Sequence, residues 1–232
     1  MPIIAISGHM GSGKDTVGRL IQYANLDCHV PVSLQDIVLN QNGASYYVDS
    51  NSRWKIKKFA GKLKEICSLL INQPVSKFEN REFKDGELGP EWDYLDSEGV
   101  LNKMTIRRFM QRLGTDACRD VFHPNIWVNA LMADYVPYTT RGSSYEETEQ
   151  HWIITDCRFI NEATEIKKRG GHIIRVNRES LNQQQLHTSE TELDNWDFDY
   201  VINNNNNTDY YILYKQIVTM LKSLNKWKVP SK

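Results

Sequence analysis

Short apolar runs alternate along this chain with stretches whose apolar positions recur every three or four residues. The first run is Ile3-Ile4-Ala5-Ile6. Trp152-Ile153-Ile154-Thr155-Asp156, His172-Ile173-Ile174-Arg175-Val176 and Tyr200-Val201-Ile202 share its character, and Lys55-Ile56-Lys57-Lys58-Phe59 is a weaker member. Runs this short with successive apolar residues predict strands buried on both faces. Helical spacing covers Val17 to Ala24, Ala60 to Ile71, Thr105 to Leu113, Ile126 to Tyr135, Asn161 to Arg169 and Asp209 to Leu224. The alternation predicts an α/β fold, a five-stranded parallel sheet between two helical layers. Ligands of such sheets sit beyond the carboxyl ends of the strands. That places Gly13 to Thr16, Phe59 to Lys64 and Asp156 to Arg158 on one rim.

Two polar stretches break the alternation. Leu26 to Arg53, with a turn at Asn40-Gln41-Asn42-Gly43, reads as an irregular surface insertion, and so does Gly86 to Lys103. Arg141 to Gln150 reads as a solvated connection, and the asparagine run Asn203 to Asn207 as a turn before the last helix. The expected organisation is one domain over residues 1–232. Its core would be residues 1–25, 54–72 and 151–232, with surface insertion 26–53.

The first strand leads into Ser7 and then Gly8-His9-Met10-Gly11-Ser12-Gly13-Lys14-Asp15-Thr16. Gly8, Gly13 and Lys14 fit the GxxxxGK phosphate-binding loop, in the strand-loop-helix context the motif requires. Glycines let successive N–H groups face one concavity, and the helix N-terminus adds partial positive charge. Gly8, Gly11, Ser12, Gly13, Lys14, Asp15 and Thr16 are therefore the candidate di- or triphosphate site. Asp15 stands where a hydroxyl residue usually follows the lysine, and the hydroxyl comes at Thr16. Asp15 and Thr16 are candidate holders of a metal ion through water, and the Thr16 hydroxyl is placed to reach an α-phosphate.

The formal net charge of -1 and the lack of a lysine and arginine block argue against duplex nucleic acid as a partner. Cys28, Cys67, Cys118 and Cys157 lie far apart with no CxxC spacing, which argues against a metal or disulfide framework and for a reducing compartment. No apolar run approaches a membrane span and no secretory leader is evident, so the expected location is cytoplasmic.

Three further constellations could carry chemistry. Thr105 to Leu113 presents Arg107 with Gln111 on one face and Arg108 with Arg112 on another, and Gly114 is expected to stop this helix. The arginines suit a clamp on a monophosphate, or a solvated helix face. Asp156-Cys157-Arg158 follows a buried strand, with Glu162 four residues beyond Arg158. The acid could orient substrate or a metal's water shell, or it could cap the next helix over an Arg158–Glu162 pair. Trp127 could stack on a base, or belong to the core. Ser189 with Glu192 fits a capping box, and nothing at His187 to Glu190 marks a nucleophile.

Together these motifs resemble the bacteriophage deoxynucleoside monophosphate kinases, a branch of the P-loop nucleoside monophosphate kinases. The resemblance rests on GHMGSGKDT at Gly8 to Thr16, FAGKLKEI at Phe59 to Ile66 and FENREF at Phe78 to Phe83. It continues through RRFMQRLGTD at Arg107 to Asp116, HPNIWVNAL at His123 to Leu131, ITDCRFINEA at Ile154 to Ala163 and HTSET at His187 to Thr191. It implies a three-layer P-loop kinase fold with a monophosphate-binding region at residues 59–135 and a short lid at 157–170. It implies ATP and Mg²⁺ as cofactors and a deoxynucleoside 5′-monophosphate as acceptor. Lys14 and the loop would hold ATP. Leu63, Lys64, Arg81, Arg107, Arg108, Trp127, Asp156 and Glu162 would line the acceptor site. Lys14, Arg107, Asp156 and Arg158 would carry catalysis, with Arg158 acting in the lid. A homodimer is compatible with the resemblance, and a phage-encoded chain would work in the cytoplasm of its bacterial host. The alternatives are a kinase of another phosphorylated metabolite and a non-catalytic nucleotide-binding module; the shifted hydroxyl and the absence of NKxD oppose the latter.

Overall fold

The computed structural model describes residues 3–26, 28, 31–135, 151–179, 191–205 and 210–224. In chain order the elements are β1 (Ile3–Ser7), α1 (Lys14–Ala24), α2 (Leu34–Leu39), α3 (Ala44–Asn51) and β2 (Trp54–Lys57). Next come α4 (Gly61–Ile71), α5 (Arg81–Asp85), β3 (Tyr94–Leu95), β4 (Leu101–Asn102), α6 (Ile106–Gln111) and α7 (Ile126–Met132). The last are β5 (His151–Ile154), α8 (Ile160–Lys168), β6 (His172–Asn177), β7 (Tyr200–Asn203) and α9 (Tyr210–Ser223). The chain forms two compact units, Met1–Lys58 with Tyr135–Lys232, and Phe59–Asp134.

The first unit is built on a five-stranded sheet in the order β2-β5-β1-β6-β7. Every pairing is parallel, with Ile4 opposite Ile153 on one side and Ala5 opposite Ile173 on the other. All five residues of β1 are buried, as its unbroken apolar run requires. One face is covered by α1 through Val17, Leu20, Ile21 and Ala24, and by α9 through Leu213, Ile217, Met220 and Leu221. On α8, Ala163 and Ile166 are buried. The segment 157–170, expected as a short lid, is thus largely the helix α8 with its inner face buried.

The stretch 26–53 is not irregular. Ser33 caps α2 in a reciprocal box with Asp36, and Arg19 of α1 donates to the Ile37 and Val38 carbonyls. Asn40, Asn42 and Gly43 all take positive φ, so the turn between α2 and α3 lies where the sequence places it. Ile37, Ala44 and Val48 are buried in the main core. Helices of six and eight residues are too short to show a stripe, which is why the pattern missed them.

The second unit packs Leu63 and Cys67 of α4 with Phe78, Ile106 of α6 and Trp127 of α7. Residues 61–71, expected both in the core and in the monophosphate-binding region, pack in this second unit. The expected loop 86–103 holds the antiparallel pair β3–β4, pinned by Asp96, which accepts from the Val100 and Glu98 amides and the Asn102 side chain. Gly114 does not end α6. The helix continues in wider π turns over Arg112–Phe122. A Cβ on the buried Gly114 would lie 2.6 Å from Leu63 Cδ2, so this glycine serves close packing rather than termination. Residues 141–150, 187–190 and 206–207, which carry the solvated connection, the His187 to Glu190 motif and the end of the asparagine run, lie outside the described residues. Among the described residues no helix is long and apolar enough to cross a membrane.

Gly18 seats α1 on the sheet, where an added Cβ would lie 2.6 Å from Thr155 Cγ2 and 3.5 Å from Ile153 Cγ2. Gly18→Val is expected to destabilise the chain by about 1–3 kcal/mol through overpacking. Urea unfolding would show a lower midpoint at unchanged slope; an unchanged midpoint would mean that α1 is not seated this closely.

Candidate phosphate-binding site

β1 is buried on both faces and cannot run on into α1 without a sharp reversal. Glycines make the reversal. A Cβ on Gly8 would lie 2.5 Å from the Val176 carbonyl oxygen of β6, a clash with backbone that cannot yield. Gly13, with φ 96° and ψ 22°, takes the left-handed conformation just before Lys14 opens the helix. Ser12 N–H closes the turn on His9 O at 3.1 Å. The first amides of α1 have no partner within the helix and carry its positive end, which is the chemistry of an anion site. Lys14 folds back over the loop, donating to the Gly8 and His9 carbonyls. Its ammonium is therefore already held over the concavity.

Neighbouring strand ends brace this loop. Asn204, just past β7, donates to Ser12 O at 2.8 Å, and Arg178, just past β6, donates to Gly11 O at 3.2 Å. Asp15 reaches sideways. Its carboxylate accepts Thr155 Oγ1 at 2.7 Å and pairs with Lys58 Nζ at 3.2 Å, tying α1 to the ends of β5 and β2. Desolvation works to raise the Asp15 pKa. The Lys58 charge and the Thr155 hydrogen bond outweigh it, and the carboxyl is held below its ordinary value. Thr16 Oγ1 accepts from Arg19 at 3.4 Å.

After β5 the chain passes Asp156, and the Cys157 N–H donates to Ile6 O at 3.2 Å. Cys157 is wholly buried, and burial drives its thiol pKa well up. The N-cap of α8 is Phe159, so Asp156 does not cap it. Glu162 supplies that capping instead, accepting the Arg158 and Phe159 amides at 2.8 and 3.1 Å. Glu162, expected at the acceptor site, is 2 % exposed. Glu192, expected in a box with Ser189, accepts the Ile160 amide at 2.9 Å.

In the second unit, Arg107 donates to Asp85 Oδ1 through Nε at 2.8 Å and approaches it through Nη2 at 2.7 Å. Arg81, largely exposed, lies 3.8 Å from the same carboxylate. The structure thus brings these two arginines together, through an aspartate the sequence did not mark. Arg108 and Arg112 share a face, as expected. Both stand over the Tyr94 ring, at 5.1 and 4.1 Å, and Arg108 also donates to Asn102. Leu63 and Lys64 are buried, with Lys64 Nζ 2.6 Å from Glu79. Trp127 is 6 % exposed and donates its indole N–H to Gly114 O at 2.8 Å. Its ring packs in the second unit's core with Leu63, Cys67, Phe78 and Ile106.

A family model described as deoxynucleotide monophosphate kinase matches residues 92–217, more than half of the chain. A protein of Acanthamoeba polyphaga mimivirus, provisionally named a deoxynucleotide monophosphate kinase, is 26% identical over 97% of this chain and 99% of its own length. The deoxynucleotide monophosphate kinase of Escherichia phage RB69 is 30% identical over 53% of this chain and 47% of its own. That of Enterobacteria phage T4 is 29% identical over 54% and 48%. The two phage alignments thus span about half of those relatives.

Lys58→Ala leaves Asp15 with its desolvation and without its main counter-charge. The Asp15 carboxyl is expected to titrate higher than in the parent chain, read by carboxyl-carbon NMR. The stability that the pair adds is present above the ordinary carboxylate range, and it is lost as pH falls through the depressed Asp15 value. An unmoved titration would show that Lys58 and Asp15 do not pair.

Proposed function

The chain belongs to the deoxynucleotide monophosphate kinase family, and from that premise we propose that it transfers the γ-phosphoryl group of ATP to a deoxynucleoside 5′-monophosphate. The observation that carries the proposal is the glycine-lined turn before α1, with the Lys14 ammonium folded over it. An acceptor phosphate oxygen bonds to the γ-phosphorus, the bond to the β–γ bridging oxygen breaks, and ADP leaves with the deoxynucleoside diphosphate. The acceptor is already anionic, so no strong general base is needed, and catalysis is positioning with charge neutralisation.

The residues take these roles on that reading. The amides from Gly11 to Thr16 hold the donor phosphates, and Lys14 turns from the loop carbonyls to the β- and γ-oxygens. Arg107 and Arg81 exchange Asp85 for the acceptor phosphate, a stronger bidentate partner. Arg158 meets charge on the transferring group, and Asp156 orients the acceptor. Leu63, Lys64 and Trp127 act from within the second unit's core, as supports for its arginine-bearing helices.

The residues present suit magnesium held in part by the nucleotide. Among the described residues no three His, Cys, Asp or Glu groups converge into a cage. Asp15 offers an anionic, half-exposed carboxylate beside the loop. Magnesium commonly keeps several waters and binds through one or two carboxylates plus substrate phosphates. Asp15, with Thr16, would hold its water shell, and the ion would supply charge neutralisation at the β- and γ-phosphates.

A panel of deoxy- and ribonucleoside monophosphates with coupled ADP detection tests the acceptor. ADP release is expected to depend on a deoxynucleoside monophosphate; release that ignores every member of the panel would contradict the proposal. Lys14→Ala and Arg158→Ala are each expected to lower turnover about 10³-fold or more, the scale of such parts in phosphoryl transfer. Near-parental turnover in either variant would remove its assigned role.

A further inference from the structure

The loop from Gly8 to Thr16 is also gripped by a side chain that no sequence pattern marks. One carboxylate oxygen of Asp194 meets two nitrogens, His9 Nε2 at 3.0 Å and Arg175 Nη2 at 2.5 Å. Arg175 is buried. Its Nη1 donates to Ser7 Oγ, at the end of β1, and its guanidinium lies 5.5 Å from the Phe198 ring centre. Desolvation works to raise the Asp194 pKa, but the hydrogen bonds from His9 and Arg175 and the charge of Arg175 hold it below the ordinary value. An ionised carboxylate only accepts, so the hydrogen of this contact sits on His9 Nε2. The His9 carbonyl accepts the Ser12 amide that closes the turn, and Lys14 Nζ at 2.8 Å. One carboxylate thus fixes the residue on which both the loop turn and the lysine depend.

Asp194 is itself firmly presented. Its amide donates to Thr191 O, the Trp196 amide donates to Leu193 O, and Leu193 is buried. Five residues on, the Asp199 carboxylate accepts the Ile173 amide and Lys167 Nζ, each at 2.7 Å. Residues 191–199 are therefore a strap anchored at both ends: at the loop through Asp194, and at the start of β6 through Asp199.

We propose that Asp194 is a positioning residue for the phosphoryl donor, acting through His9. It holds the glycine loop in its phosphate-receiving turn before nucleotide arrives, so that less ordering is left for binding to bring about. The proposal rests on the donor-site reading given above. It predicts a selective loss. A merely structural carboxylate would lower thermal stability and weaken both substrates alike.

The test uses the whole chain and AMP-PNP, a non-hydrolysable ATP analogue, with its Kd measured by calorimetry. The KM values for ATP and for the acceptor, and Tm, are measured alongside. His9→Ala and Asp194→Asn are each expected to raise the AMP-PNP Kd and the ATP KM about tenfold, the scale of one charge-assisted hydrogen bond. The acceptor KM should stay within about twofold. The double variant should lose no more than the worse single one, because each single change already breaks the His9–Asp194 contact and only the Asp194 change also weakens the pair with Arg175. His9→Gln, which keeps a side-chain N–H donor, should recover most of the loss. Unchanged Kd in the single variants, equal rises in both KM values, or additive losses would each overturn the proposal. Failure of the kinase reading looks different: the parent chain would bind AMP-PNP yet phosphorylate no monophosphate, and the Kd series would still report on Asp194. A parent chain that does not bind AMP-PNP overturns both.

Discussion

Whatever the sheet-bearing unit offers to a phosphate depends on one main-chain turn, the left-handed step at Gly13 that separates β1 from α1. That step aims the amides of the first helical turn away from the sheet, at the positive end of the helix. Lys14 and Asp15, adjacent in sequence, then serve opposite purposes. Lys14 bends back over the loop carbonyls, and Asp15 reaches out to Lys58 and Thr155. The parallel sheet makes this possible. All five strands run the same way, so the residues that follow each of them reach one rim. Residues as distant in sequence as Asn204 and Ser12 meet there, side chain to carbonyl, because of topology alone.

Much of this fold was legible because strands buried on both faces must be apolar at successive positions. Ile153 and Ile154 of β5, and Ile173 and Ile174 of β6, are fully buried and stood out in the sequence for that reason. The misreadings share a cause, in that the deciding contact is tertiary. A short helix such as α2 shows one buried residue, Ile37, which no periodicity can reveal. Gly114 looks like a helix stop until Leu63 is seen against it.

The candidate site was legible in the same uneven way. The loop from Gly8 to Thr16 is local, and its glycine spacing, lysine and flanking strand and helix all lie within one short span. Its braces are not local. Lys58, Arg178 and Asp194 carry no motif and Thr155 was given no role within its own, and each matters only through a partner far away in the chain. A weak clue existed for some of them, since each of Lys58, Thr155 and Arg178 directly follows a strand. The arginines of α6 showed the limit of helical spacing. The pattern paired Arg108 with Arg112 correctly, but it could not say that Tyr94 lies beneath both or that Asp85 holds Arg107.

The claim at the centre of this account is that main-chain amides between Gly11 and Thr16 receive the donor phosphates. Backbone ¹⁵N NMR of the whole chain, titrated with inorganic tripolyphosphate, tests it without relying on turnover or on recognition of a base. The account predicts that the amide signals of Gly11 to Thr16 move first and furthest, saturating together. It is contradicted if those signals stay in place while amides elsewhere shift, or if no part of the chain responds.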